Sequence, residues 1–215
     1  MHAHHASETT RVETFSDSVF AIAITLLGLG LEVPRPGAGS VFGALAREWP
    51  SFLAFVTSFA TIGIVWINHH RVFTHVRRVS HGLLMWNGLL LMAVSLIPFT
   101  TELVAEHIGH DGAKEAAAVY AGSQLFVTLA FNLVWRHVTR RRRLVDHHIT
   151  APAVRRINLQ YGFGPILYFA SLLIAFASAL TSLVLDVVFA AFFALPAFSV
   201  ADAGRIIDDR DEATG

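Results

Sequence analysis

The chain has 215 residues, of which 54% are hydrophobic and 15% are charged, and its mean hydropathy is +0.55. Soluble domains carry about 25% charged residues, so this composition excludes an ordinary soluble domain and favours a membrane protein. The net charge of zero indicates no nucleic-acid partner, and the absence of cysteine excludes disulfides, thiolate metal sites and cysteine nucleophiles.

The N-terminal segment 1–10 is polar and has no apolar core, so we expect a short disordered tail and no signal peptide. Residues 18–31 are uncharged but too few to cross a bilayer, which needs about 20. The first span therefore includes 11–17 and carries Asp17 at one end. A carboxylate beside the hydrocarbon indicates a functional site, a charged partner or a water-filled cavity. An interfacial salt bridge or a hydrogen bond at the helix end is the alternative interpretation.

The rest of the chain contains further long uncharged runs. They cover 49–70, 82–101, 116–135 and 157–185, and the last continues after Asp186 to residue 201. We expect the last run to form two helices with a tight turn near Thr181 and Ser182. The sequence thus predicts an all-α membrane protein with six transmembrane helices in one domain, 11–203, followed by a cytoplasmic tail, 204–215.

The basic residues alternate in density from one predicted loop to the next. Thirteen of the sixteen Lys and Arg lie on one side of the six-span topology and three on the other. Because Lys and Arg concentrate on the cytoplasmic side, both termini are predicted to be cytoplasmic. The run 140–143 is a topology signal, and the same charges suit anionic lipid headgroups.

Polar side chains collect at the predicted cytoplasmic ends of the first three spans. Arg11 and Asp17 are six residues apart, a rotation of about 600°, so they do not face each other and each needs another partner. Buried polar groups satisfy one another in networks. We expect Arg11, Ser16 and Asp17 to join Asn87 and one of two histidines. The candidate histidines are His69 and His70.

Further along the first helix, Ile22, Leu26 and Leu29 form one apolar stripe with Thr25 on its edge. Bulky apolar side chains around a symmetry axis make a constriction that gates by dewetting. Periodicity leaves two alternatives open, since the same stripe suits packing inside the bundle or contact with lipid.

The pattern Arg11-x-x-x-Phe15-Ser16-Asp17, followed by the apolar segment 18–27, resembles the first helix of prokaryotic members of the transmembrane protein 175 family of potassium channels. Similar matches are spread along the chain, to about residue 202: Trp66 with His69 and His70, Trp86 with Asn87, the segment 96–99, and Tyr120. Ser18 departs from the glycine of many members, a small-for-small change.

The resemblance implies a potassium-permeable homotetramer in the cell membrane, with four copies of the first helix around the pore. By position it places the constriction at Ile22 and the next pore layers at Thr25, Leu26 and Leu29. The chain has no Thr-Val-Gly-Tyr-Gly run, so selectivity is expected from pore width and hydroxyls without a carbonyl filter. It implies potassium ions, membrane lipids and further copies of the chain as partners, and no cofactor. The structural motif residues are Arg11, Phe15, Ser16, Asp17, Trp66, His69, His70 and Asn87.

Two rival functions are a cation- or proton-coupled transporter with Asp17 and His69 as an ionisable relay, and a non-conducting membrane scaffold. An enzyme is not expected, because Asp17 and Asp186 lie on opposite sides of the membrane in the six-span topology. The twelve histidines include no His-Glu-x-x-His pattern. We therefore expect no functional metal site, and only adventitious metal binding at the N-terminal histidines, His2, His4 and His5.

Overall fold

The chain folds into helices, as the apolar runs predict. The computed structural model describes residues 2–34, 40–74, 76, 78–140 and 151–194, with backbone only for 2–7, 151–160 and 194. The helices in this part of the chain are α1 (His2–Leu27, continued by a 3-10 turn at Gly28–Gly30), α2 (Val41–Arg47), α3 (Trp49–Thr74), α4 (His81–His107), α5 (Ala113–Arg140), α6 (Ala151–Ala175) and α7 (Ala179–Ala194).

Four of these helices are long and apolar enough to cross a membrane, which confirms a multi-pass membrane protein. The apolar segments are Glu8–Gly30, Trp49–Thr74, His81–His107 and Ala113–Arg140. α6 and α7 contribute the shorter apolar segments Tyr161–Ala175 and Ala179–Phe193. Since a span needs about 20 residues, six spans remain a prediction for this chain.

The structure differs from the sequence-based boundaries at two places. α1 begins at His2, so residues 2–10, expected as a tail, are helical; Ala3, Ala6 and Glu8 favour this and no Pro or Gly interrupts it. The turn between α6 and α7 lies at residues 176–178, ahead of the expected position near Thr181. There the Ser178 hydroxyl accepts the Thr181 backbone N–H at 3.3 Å and caps α7.

Other sequence-based expectations fall on residues outside the described ranges. These are the C-terminal tail 204–215 and most of the basic run, residues 141–143.

The helices pack around two clusters of buried apolar side chains. α1 packs on α3 and α4, and α4 packs along α5, which in turn contacts α6 and α7. One cluster joins α1 and its neighbours and includes Phe20, Ile62 and Leu90. The other, which includes Ala54 and Leu183, joins α3 to α7. Neither cluster contains the exposed face of α1.

The start of α4 is fixed against the last turns of α5. Ser80 caps α4 by accepting the Leu83 backbone N–H at 3.2 Å, and its hydroxyl also lies 3.0 Å from His137 Nε2. A Cβ atom added to Gly82 would lie 2.6 Å from the His137 ring. This glycine therefore permits the close approach of α5 to α4.

Replacing Gly82 by Ala should lower the melting temperature of the purified protein. The new methyl group displaces His137 and weakens its bond to Ser80, which we expect to cost about 1–3 kcal/mol. Gly88→Ala is the matched control on the same helix, because nothing lies within 4 Å of a Cβ at that position and Ala favours a helix over Gly. Equal melting temperatures for the two variants would contradict this account of the contact.

Candidate ion pathway and polar network

α1 has one buried face that holds it against α3 and α4. Ser16, Phe20, Ala23 and Leu27 are all buried, with exposed fractions of at most 4%. Their spacings of four, three and four residues place them on one side of the helix. The rotation of α1 about its own axis is therefore fixed by the packing of this face.

The opposite face of α1 carries the apolar stripe. Ile22 follows Phe20 by two residues, a rotation of about 200°, and its side chain is 58% exposed. Leu26 and Leu29 are exposed at 45% and 81%. The sequence left packing inside the bundle and contact with lipid as alternatives for this stripe. Its exposure excludes packing inside the bundle of a single chain, so the stripe faces lipid or another copy.

Polar side chains interrupt this exposed face. Arg11, Ser18 and Thr25 are all exposed, and each lies about opposite the buried face by helical spacing. The Thr25 hydroxyl donates to the Ile22 carbonyl at 2.9 Å, which leaves its oxygen lone pairs free to accept. The exposed face of α1 therefore carries both polar and apolar side chains.

A buried hydrogen-bonded chain joins α1, α4 and α3. The Ser16 hydroxyl donates to the Val12 carbonyl at 2.8 Å, and Asn87 Nδ2 donates to Ser16 Oγ at 2.9 Å. His69 Nε2 lies 2.9 Å from Asn87 Oδ1, which only accepts, so Nε2 carries the hydrogen. Ser16, His69 and Asn87 are buried, with at most 3% exposure.

Aromatic rings enclose His69. Its ring stacks on Phe73, with centroids 4.2 Å apart, and is tilted against Phe20 at 5.4 Å. Its Nδ1 atom has no hydrogen-bond partner among the described residues. The ring therefore uses one nitrogen to hold Asn87 and is otherwise packed as an apolar group.

Two exposed contacts complete the attachment of α1 to α3. Trp66 Nε1 donates to Asp17 Oδ1 at 2.9 Å. His70 Nδ1 lies 2.8 Å from Glu13 Oε1, a pair that the sequence did not suggest. The two histidines thus have separate roles, His69 with Asn87 and His70 with Glu13.

The structure does not bring every predicted motif residue into this network. Arg11 is exposed and forms no hydrogen bond or ion pair with any described residue, and Phe15 is 64% exposed. Both lie outward on α1, where a neighbouring copy or lipid is the available partner.

A second polar group, which the sequence reasoning missed, lies deeper in the bundle. Ser58 Oγ is 2.7 Å from Thr101 Oγ1 and 2.9 Å from the Tyr120 hydroxyl. Asp186 on α7 and Gln124 on α5 are both 0% exposed. The signal was a single carboxylate inside a long apolar run, which marks function by default. Within the described ranges, no three His, Cys, Asp or Glu side chains cluster to hold a metal ion.

Comparison with known proteins identifies the class of membrane protein. The model of the family described as "Endosomal/lysosomal potassium channel TMEM175" matches residues 11–98. A potassium channel from Chamaesiphon minutus is 45% identical over 196 residues, 90% of this chain and 97% of that protein. A potassium channel from Streptomyces collinus is 45% identical over 175 residues, 80% of this chain and 85% of that one.

A solved structure agrees with these matches. The crystal structure of a lysosomal potassium-selective channel TMEM175 homolog from Chamaesiphon minutus superposes with a TM-score of 0.79 at 44% identity, and covers 87% of this chain and 97% of that one. The chain belongs to the TMEM175 family, as the motif in α1 predicts.

Substituting Asn87 by Ala should destabilise the protein by about 1–3 kcal/mol, because it leaves the buried Ser16 and His69 groups without their partner. Thermal unfolding of the purified protein measures the effect. Ser95→Ala is the control on the same helix: Ser95 is exposed and bonds only to the Leu91 carbonyl of its own helix, so we expect about 0.5 kcal/mol or less. A loss for Asn87→Ala no larger than the control would show that the network contributes little.

Proposed function

We propose that the chain forms a potassium-permeable cation channel in which α1 helices from four copies surround the pore. The exposed stripe on α1 is the observation that carries this proposal. It occupies the helix face that the chain's own packing leaves free. The relatives from Chamaesiphon minutus and Streptomyces collinus are named potassium channels, which supports the same function. The proposal includes six spans, cytoplasmic termini and residence in the cell membrane among lipids.

The ion path in this proposal narrows at Ile22, with Leu26 and Leu29 as further apolar layers. An apolar ring conducts when it is wide enough to hold water and closes by dewetting. Potassium holds its water less tightly than sodium, so a narrow apolar ring favours potassium. The free oxygen lone pairs of Thr25 lie close to the ring and replace part of the ion's hydration shell.

The hydrogen bonds of Ser16, His69 and Asn87 orient the pore helix in this proposal. They hold the face that bears Phe20 toward α3 and α4, and so direct Ile22 the opposite way. The hydrogen bond from Trp66 to Asp17 adds a second attachment of α1 to α3, one residue after Ser16. The role of these residues is positional, and ions need not contact them.

The transporter alternative is less well supported by the contacts. Asp17 accepts from Trp66, while His69 donates to Asn87, so no hydrogen bond joins the two proposed relay groups. His69 is fully buried among aromatic rings. A relay needs contact between its members or with water.

Replacing Ile22 by Asn should reduce the preference for potassium over sodium several-fold. Four Asn side chains around the pore would let the ion keep its water, whereas four Ile side chains remove part of it. Reversal potentials of the purified protein in planar bilayers under mixed-ion conditions measure this ratio. A second assay, sodium flux into liposomes, should rise relative to potassium flux.

The matched control is Ile166→Asn on α6, since Ile166 is 65% exposed, close to the 58% of Ile22, and lies off the α1 stripe. Its ion preference should equal that of the unmodified channel. An unchanged potassium preference in Ile22→Asn, or the same change in both variants, would refute the pore assignment.

A further inference from the structure

A carboxylate lies beside the end of the helix that carries the apolar stripe. A Cβ atom added to Gly30 would lie 3.9 Å from Cβ of Glu102 on α4 and 4.0 Å from its Cγ. Gly30 directly follows Leu29, the last residue of the stripe, whose side chain is 81% exposed. The stem of Glu102 is therefore next to the turn that ends the exposed face of α1.

The charged end of Glu102 lies close to the same turn. The carboxylate oxygens follow Cγ by two bonds, so ordinary bond lengths place them within about 7 Å of the Cβ position at Gly30. Glu102 is exposed, and its carboxylate forms no hydrogen bond or ion pair with any described residue. It presents its charge to water within one residue of Leu29.

Few basic residues are available to neutralise a carboxylate at this end of the helices. α1 ends here on the side opposite the predicted cytoplasmic termini. That side holds only three of the sixteen Lys and Arg in the six-span topology. The field of Glu102 is therefore directed mainly at ions in solution.

Salt decides how far this field reaches. The Debye length is about 10 Å at an ionic strength of 0.1 M and about 3 Å at 1 M. Because the carboxylate is within about 7 Å of Gly30, the turn lies inside the screening length at the lower concentration, and salt screens the charge at the higher one. Rings of Asp or Glu side chains favour cations in channels by this effect.

We propose that Glu102 from each of four copies concentrates cations at the outer mouth of the pore and so raises the potassium conductance. This inference rests on the proposed channel, in which Leu29 is the outermost pore layer. A charge at the mouth raises the local concentration of every small cation, so it does not distinguish potassium from sodium. Glu102 thus controls how many cations arrive, whereas the ring of Ile22 controls the preference between them.

Replacing Glu102 by Gln keeps the size of the side chain and removes its charge. The test measures the potassium conductance of the purified channel in one planar bilayer at about 0.1 M and then at about 1 M potassium chloride. The ratio of the two values does not depend on the number of channels in the membrane. We expect Glu102→Gln to lower this ratio about two-fold and to keep the preference for potassium over sodium. An unchanged ratio would overturn the proposal.

Glu106→Gln is the matched control. Glu106 is also exposed and lies one turn, about 6 Å, further along α4 from Glu102. Its removal takes away the same charge at a greater distance along the helix from Glu102, so the ratio should fall less. A fall as large as that of Glu102→Gln would contradict the assignment to Glu102.

A chemical variant separates the effect of charge from the effect of shape. The natural chain has no cysteine, so Glu102→Cys introduces a single thiol. A reagent that attaches a sulfonate should restore the ratio, and a reagent of similar size that attaches a quaternary ammonium group should lower it further. The same ratio with both adducts would refute an electrostatic role, including the case in which Glu102→Gln alters the conductance by disturbing the fold.

Failure of this inference is distinguishable from failure of the proposed pore. Ile22→Asn tests the preference for potassium over sodium, which Glu102 is not expected to change. If Ile22→Asn lowers that preference while Glu102→Gln leaves the conductance ratio unchanged, the pore assignment stands and the role of Glu102 is wrong. An unmodified protein without potassium conductance would refute both.

Discussion

The hydrogen bond from Asn87 to Ser16 is the interaction on which the functional interpretation depends. It joins α1 to α4, and through His69 it joins both to α3. A helix with small residues on several faces has many ways to pack against its neighbours. Burial of one specific serine, paired with one specific amide, selects a single rotation and leaves Ile22 on the outside.

The cost of burying polar groups explains why this network has a single arrangement. In an apolar environment, a polar side chain that loses its partner pays the full cost of desolvation. A set of three buried groups that satisfy one another is therefore stable only in one arrangement. The exposed pairs formed by Asp17 and by His70 add less, since water competes for them.

The bundle contains two buried polar regions. In the network of α1, α3 and α4, hydrogen bonds between side chains connect all three helices, and the Nδ1 atom of His69 is the group left without a partner among the described residues. The second polar group contains Asp186 and Gln124, both fully buried. Buried polar groups that hydrogen-bond across helices hold those helices in one arrangement.

The sequence was sufficient for the features that depend on spacing along one helix. The stripe of Ile22 and Leu29, the helical class and the family motif all follow from local periodicity and residue type. Features that depend on contacts between helices could not be predicted in the same way. The spacing of His69 and His70 could not decide which one meets Asn87, because adjacent residues differ only by about 100° of rotation.

Asp186 shows the same limit more clearly. Along the chain it is one charge in an apolar run, and the six-span topology predicts that it lies on the side of the membrane opposite Asp17. In the structure it is fully buried, on the helix that follows the turn at residues 176–178. The other members of the second polar group, Ser58, Thr101, Tyr120 and Gln124, come from α3, α4 and α5, and spacing along one helix does not reveal such a group.

The most direct test of the central claim is cysteine accessibility at two adjacent residues of α1. The natural chain has no cysteine, so Ile22→Cys and Ala23→Cys each introduce one thiol, the first on the exposed face and the second on the buried face. A charged, water-soluble thiol reagent should block potassium current through Ile22→Cys and leave Ala23→Cys unaffected. Current through Ile22→Cys that is insensitive to the reagent, or equal block of both variants, would contradict a water-filled path along this face.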